Sequence, residues 1–193
     1  MEPEEISNQP ERLSRRVELP SGKALLLRPL KADDAWILGA YFLSLSDETK
    51  DFYSPHPFDQ GTADRLCAEV NNDQTLRILS IVKEVVIAYF ILTLTIREGD
   101  KKRFSNYGIP LNANTDCLVA PSVADNHQST GIGSLVMAHA LDVLRLLGKK
   151  RAVLQGGVQQ RNERAVHFYR KFGFKTVGTF TTRVENYDMI AEL

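Results

Sequence analysis

Between a short apolar strand over 117–123 and a long apolar-periodic segment over 131–147, the chain reads Gln128-Ser129-Thr130-Gly131-Ile132-Gly133. No other stretch restricts the fold as much, because it demands a strand that ends, a corner built on glycine and a helix that begins. A helix N-terminus carries unpaired backbone N–H groups and a partial positive charge. Glycines there remove the Cβ atoms that would keep a phosphate off those N–H groups. The junction therefore reads as a pyrophosphate-binding corner, and taken alone it also reads as ordinary turn and cap chemistry. Two other phosphate motifs are excluded. A dinucleotide fingerprint needs a third small residue where Val136 stands, and no Gly-Lys-Ser/Thr closes a Walker-type loop.

The rest of the chain supplies elements around this corner. Arg16 to Leu19 and Ala24 to Arg28 predict two strands about the turn Pro20-Ser21-Gly22-Lys23. Asp33 and Asp34 open a helix through Tyr41 and Phe42. Ser46 to Ser54 predicts a short helix stopped by Pro55-His56-Pro57, and Thr62 to Val70 predicts another. Residues 76–82 and 84–96 are rich in β-branched and aromatic side chains and predict a central antiparallel hairpin turning near Lys83-Glu84. The charged stretch 98–115 predicts a flexible loop. Cys117 to Val123 predicts a strand interrupted by Pro121, and Gly131 to Leu147 a helix closed by Gly148. A strand over 151–158, a helix over 162–172 and strands over 175–180 and 183–191 follow. The polar residues 1–14 predict a flexible tail, leaving 15–193 as a single domain. This order predicts an α/β fold around one mixed sheet, antiparallel in its first half.

Composition narrows the function. The 24 basic and 24 acidic side chains balance, so no electrostatic footprint points to nucleic acid. The longest apolar run, Val85 to Ile96, is too short to span a bilayer, which takes about 20 residues. The start, Met-Glu-Pro-Glu-Glu, lacks the basic character of a signal peptide. Cys67 and Cys117 have neither metal-ligand nor disulfide-framework spacing, and a cytoplasmic setting is expected.

The glycine corner has a companion. About thirty residues on comes Asn162-Glu163-Arg164-Ala165-Val166-His167-Phe168-Tyr169-Arg170-Lys171-Phe172-Gly173-Phe174. Together, Gln-x-x-Gly-x-Gly and Asn-x-x-Ala-x-x-x-Tyr-x-x-x-Gly-Phe resemble the GNAT superfamily of acyl-CoA N-acyltransferases. The resemblance implies a mixed central sheet with helices on both faces, in which parallel strands ending near Val123 and Leu154 splay apart at the CoA site. It implies that acyl-pantetheine lies in that V and pairs with the first strand. Backbone N–H groups of the segment Gln128, Ser129, Thr130, Gly131, Ile132, Gly133 and Ser134 would hold the diphosphate. Asn162 would orient the pantetheine arm, Phe168 would contact the cofactor and Tyr169 would sit near the thioester sulfur. It further implies acetyl-CoA as co-substrate, no metal, and direct attack by a primary amine of a small molecule in a ternary complex. Acetylation of a protein Lys or N-terminus and a non-catalytic acyl-CoA sensor remain the alternatives. No nucleic acid or membrane partner is expected, and a homodimer is compatible.

Ordinary readings stand beside these. Asn162 is also a good helix N-cap, Tyr169 is also a core tyrosine on an amphipathic helix, and Arg164, Arg170 and Lys171 also make a solvated face. Where many family members carry Leu-x-Val in the pantetheine strand, often near a glutamate base, this chain has Pro121 after Ala120 and Val119. The general base is therefore sought among Asp116, at the start of that strand, and Glu48 and His56 on the acceptor side.

Overall fold

The structure, a computed structural model, describes residues 9–19, 22–53 and 55–193. Its strands are β1 (Arg15–Glu18), β2 (Ala24–Pro29), β3 (Thr75–Val82), β4 (Val85–Thr93), β5 (Asp116–Val123), β6 (Arg151–Leu154), β7 (Val158–Gln159), β8 (Lys175–Thr181) and β9 (Glu185–Glu192). Its helices are α1 (Ala35–Ser44), α2 (Asp47–Asp51), α3 (Gln60–Ala68), α4 (Glu98–Asn106), α5 (Ile132–Leu146) and α6 (Glu163–Lys171). The strands form one sheet in the order β1-β2-β3-β4-β5-β6-β9-β7, with β8 also on β9. Among the described residues, only the β5–β6 pair is parallel.

The period-2 pattern of the central hairpin separates two cores. In β4, Phe90 and Leu92 pack on one face with α5 and α6, whereas Tyr89 and Ile91 pack on the other with α1 and α3. Each such large side chain, fully buried, contributes about 1.5–3 kcal/mol. The hairpin turns on Lys83 (φ 48°) and Glu84 (φ 67°), two left-handed residues between the paired Val82 and Val85. A two-residue turn of that hand matches the twist of its strands.

The splay comes from glycine. Parallel pairing runs from Asp116↔Arg151 to Val119↔Leu154, and the Gln155 N–H donates to the Val119 carbonyl at 2.9 Å. Gly156 (φ 76°) and Gly157 (φ 69°) then turn the chain away, and β7 pairs with β9 instead. The strand expected over 151–158 is thus two strands broken at this corner. β5 itself runs unbroken through Pro121, which sits opposite Phe90 of β4. Backbone groups alternate sides along a strand. Val119 faces β6, so Pro121 and Val123 face the gap, and the N–H that proline lacks is one that no strand pairs with. Proline is tolerated there for that reason.

Two further expectations differ. Within the expected loop 98–115, residues Glu98–Asn106 form α4. Its sequence offers one apolar anchor, the fully buried Phe104. Arg103 holds it in place, bonding Asp188 of β9 and Asp100 at 2.6 Å each. At the N-terminus, Pro10–Leu13 make a 3-10 turn with Leu13 buried. Residues 1–8 of the expected tail, Pro20 and Ser21 of the first turn and Ser54 of the second helix lie outside the described residues.

Candidate active site

The glycine corner sits where β5 hands over to α5. Gln128 donates to the Val123 carbonyl at 3.0 Å, which fastens the start of the loop to the strand end. Ser129 (φ 60°) and Gly131 (φ 89°) are both left-handed, and the Thr130 hydroxyl donates to the His127 carbonyl at 2.7 Å. A Cβ on Gly131 would meet nothing within 4 Å, so its side is open space. A Cβ on Gly133 would lie 3.5 Å from Phe168 and Val123, an ordinary contact. Facing the corner, α6 presents Arg164, His167, Phe168 and Lys171, and Lys171 reaches Ser134 at 3.4 Å. Open N–H groups under a rim of cationic side chains are suited to an anion.

This lobe continues into a second one between the splayed strands. Pro121, Val123, Gln128, Asn162, Arg164, Ala165 and Tyr169 line both, and the second adds Thr49, Phe52, Tyr53, Pro55, Gln155 and Val158. Asn162 caps α6, its carboxamide oxygen accepting the Ala165 N–H at 3.1 Å. Tyr169 stands at the junction, its ring against Phe168 and Phe174. Burial raises its phenol well above the ordinary value, so it stays protonated. Gln155, buried at the splay, accepts from Thr93 at 3.0 Å.

The second lobe is roofed by α2, which is tied down on both sides. On one side Ser46 N–H (2.9 Å), Ser46 Oγ (2.7 Å) and Thr49 Oγ1 (2.7 Å) all donate to Asp125, and Gln128 donates to Thr49 at 3.2 Å. Partial burial pushes the Asp125 carboxyl up, but these donors outweigh it and hold it below its usual range. On the other side Asp51 pairs with Arg161, and Gln159 donates to the Asp51 carbonyl at 2.7 Å. The Arg161 guanidinium also lies 5.1 Å over the Phe52 ring.

The structure brings Val123, Gln128, Ser129, Gly131, Gly133, Ser134, Asn162, Phe168 and Tyr169 to one cleft. Thr130 turns its hydroxyl back to the loop, and the Ile132 side chain is buried in the core. The three base candidates do not line the cleft. Asp116 is fully buried at the far end of β5, bonded to Arg151 at 2.9 and 2.6 Å and to the Asn112 N–H at 2.6 Å. At about 3.3 Å per residue, three residues put it about 10 Å below Val119. Glu48 is exposed on α2. His56 stands behind Tyr53: its Nδ1 donates to the Pro57 carbonyl at 2.7 Å, and its Nε2 faces the Tyr89 hydroxyl at 3.2 Å. Burial foremost, with nearby Arg77 and Arg65, lowers its pKa and keeps it neutral. Sequence reasoning missed Tyr53, Gln155 and His167. The pair Gly156-Gly157 was the available signal for Gln155.

Among the described residues, no three His, Cys, Asp or Glu side chains gather where they could hold a metal ion, and no helix is long and apolar enough to cross a membrane.

Comparison with known proteins agrees with this geometry. None of the curated proteins matches the sequence. Among solved structures, the GNAT domain of S. lividans PAT superposes with a TM-score of 0.76 at 21% identity, covering 95% of this chain and 99% of that one. The ribosomal-protein-S5-alanine acetyltransferase of Vibrio fischeri gives 0.71 at 12% identity, covering 92% and 96%. AAC(6')-Ib in complex with ribostamycin and coenzyme A gives 0.67 at 14% identity, covering 87% and 93%. At such identities these likenesses show a shared fold. The family model for the acetyltransferase (GNAT) family matches residues 45–174, more than half of the chain and the whole stretch from the α2 cap to the end of the α6 motif. This chain belongs to the GNAT acetyltransferase family.

Proposed function

We propose that this protein transfers an acetyl group from acetyl-CoA to a primary amine of a small molecule, by direct attack within a ternary complex. One observation carries the reading: a single cleft joins the open glycine corner to a roofed aromatic lobe, with Tyr169 at the junction. N–H groups around Gly131 and Gly133 would hold the CoA diphosphate, and Arg164 and Lys171 stand where further phosphate charge would lie. The gap-facing carbonyl of Pro121 and N–H of Val123 are free of strand partners and suit the pantetheine amides.

Acetyl-CoA supplies an activated thioester, whose acyl carbon is attacked by the amine as the thiolate departs. Tyr169 would donate a hydrogen bond to the developing sulfur charge. An unperturbed phenol lies about 1.5 units above a thiol, and burial widens that gap, so Tyr169 serves as a hydrogen-bond donor more than as a source of a proton. The cysteines offer no acyl-enzyme route: Cys67 and Cys117 are buried outside the cleft, and burial pushes their thiols up to about 11 and about 12. The α2 roof favours a small acceptor over a folded protein surface.

A second reading, an α-amine at a peptide N-terminus, is favoured by the lining itself. Arg164 is the one charged side chain lining the acceptor lobe among the described residues. An alkylamine at pH 7 must lose its proton at a cost of about 4.6 kcal/mol, whereas an α-amine loses it for about 1 kcal/mol. Thiol release from acetyl-CoA, measured with small alkylamines, amino sugars and peptides bearing a free α-amine, tests both. At least one amine is expected to accelerate release. If acetyl-CoA binds and no amine does so, acyl transfer is wrong and a non-catalytic acyl-CoA sensor takes its place.

A further inference from the structure

Along the gap edge of β5, backbone donors run out before the vertex of the V. The Val119 carbonyl is taken by the Gln155 N–H at 2.9 Å, and the Val123 carbonyl by Gln128 at 3.0 Å. Between those two carbonyls lie the Pro121 carbonyl and the Val123 N–H, and at 121 proline removes the donor. One N–H thus serves about 13 Å of edge above Val119. With phosphate at the glycine corner, a cofactor that follows this edge brings its acyl end toward the vertex, where the strand offers the acyl oxygen no donor.

Gln155 stands at that vertex. It lines the acceptor lobe together with Val119, Pro121 and Tyr169, and it does not line the corner lobe. The residue is buried, and its Oε1 accepts the Thr93 hydroxyl at 3.0 Å, which sets the rotation of the carboxamide. Its Nε2 has no partner among the described residues, yet it is not one of the buried polar atoms that are sealed off without a partner. Its two N–H groups are thus open to the lobe that the residue lines, on a side chain already held by packing and by Thr93. Such a group spends little entropy when a ligand arrives.

We propose that Gln155 supplies the donor that Pro121 withholds: its Nε2–H bonds the thioester carbonyl oxygen and the negative charge that gathers there during transfer. As the amine lone pair forms the C–N bond, the carbonyl π pair moves onto oxygen. That pair returns as the C–S bond breaks and the thiolate leaves, and the amine nitrogen gives up one proton to water. A donor in place beforehand strengthens its bond as the oxygen charge grows, which lowers the barrier more than it tightens the ground state. Tyr169 attends the sulfur and Gln155 the oxygen of one thioester. This rests on the acetyl-transfer reading above.

Kinetics and a binding spectrum test it together. Gln155→Met should lower kcat by roughly 10- to 1,000-fold while acetyl-CoA affinity by calorimetry stays within about twofold. Pro121→Ala, which returns an N–H to the gap edge, should recover part of that loss when added to Gln155→Met. With no acceptor present, the infrared carbonyl stretch of bound acetyl-CoA, isotope-labelled at the acyl carbon, should move to higher frequency in Gln155→Met. If Gln155→Met does not fold, Gln155→Glu, which keeps an oxygen for Thr93, is read by the same stretch. An unchanged stretch or an unchanged kcat in a folded variant would overturn the proposal, and so would a double variant no faster than Gln155→Met. A panel without turnover would count against acetyl transfer itself, and the stretch would still decide whether Gln155 holds the carbonyl.

Discussion

The two glycines of the corner are expected to behave differently on substitution. Gly131 has φ 89°, where an L residue is strained, and its Cβ would enter open space. Left-handed alanine costs about 1–2 kcal/mol. In a domain of this size about 2–4 °C accompanies each kcal/mol, so Gly131→Ala should melt about 2–8 °C lower. The same Cβ would stand where an anion approaches the N–H groups, and acetyl-CoA affinity should fall tenfold or more, about 1.4 kcal/mol. Gly133 lies inside the first turn of α5 with no left-handed strain, and its Cβ would make ordinary 3.5 Å contacts with Phe168 and Val123. A glycine-to-alanine change within a helix gains up to about 1 kcal/mol, so Gly133→Ala should melt at or above wild type. Gly133→Val, whose branches crowd those two lining residues, should weaken acetyl-CoA about tenfold while keeping its fold. Differential scanning fluorimetry and calorimetry on the three variants supply both numbers. Wild-type acetyl-CoA affinity in a folded Gly131→Ala protein would refute the open-corner reasoning.

Tyr169→Phe should lower kcat by roughly 10- to 1,000-fold and leave acetyl-CoA affinity nearly intact; equal rates under chemistry-limited conditions would remove Tyr169 from the mechanism. Asp116→Asn should destabilise the fold, toward the lower end of the roughly 3–5 kcal/mol typical of a broken buried pair because Arg151 is partly exposed, and leave the shape of the pH–rate profile unchanged. A lost basic-side plateau in that variant would return Asp116 to the list of bases. His56 and His139 both have pKa values lowered chiefly by burial, so the unfolded chain binds more protons than the folded one below about pH 6.5. Stability should therefore be full above about pH 7 and fall as pH drops, by at most about 1.4 kcal/mol per pH unit for each histidine, and a flat unfolding midpoint from about pH 7 to 5 would contradict this.

What the sequence made legible was local. The β-branched run around Tyr89, the glycines at 131 and 133, and Asn162 with its cap all act through neighbours a few residues away, and each stands where expected. The rest depends on distant partners. The α4 helix is held by Arg103 reaching Asp188, 85 positions later. Asp116 is held by Arg151, 35 positions on, away from the cleft. Pro121 looked like a break because only the register against β4 and β6 shows that its missing N–H faces a gap. Tyr53 carried no signal, since lining a cleft is a property of the fold around a residue.

The roof over the acceptor lobe is moored unequally. Toward the glycine corner, α2 is held by three donors converging on the Asp125 carboxylate, each about as strong as charge-assisted bonds are. Toward α6 it is held by the Gln159 bond to the Asp51 carbonyl, by the Arg161 guanidinium over Phe52 and by Asp51–Arg161, a pair more than half exposed on both sides. Such pairs contribute about 0–1 kcal/mol and fade as salt rises. If the roof yields, it is expected to yield first on the side away from the glycine corner, where no carboxylate gathers three donors. The Gln128–Thr49 bond joins the glycine corner to the roof directly, so a change at Gln128 is expected to reach α2 before a change at Arg161 reaches the corner.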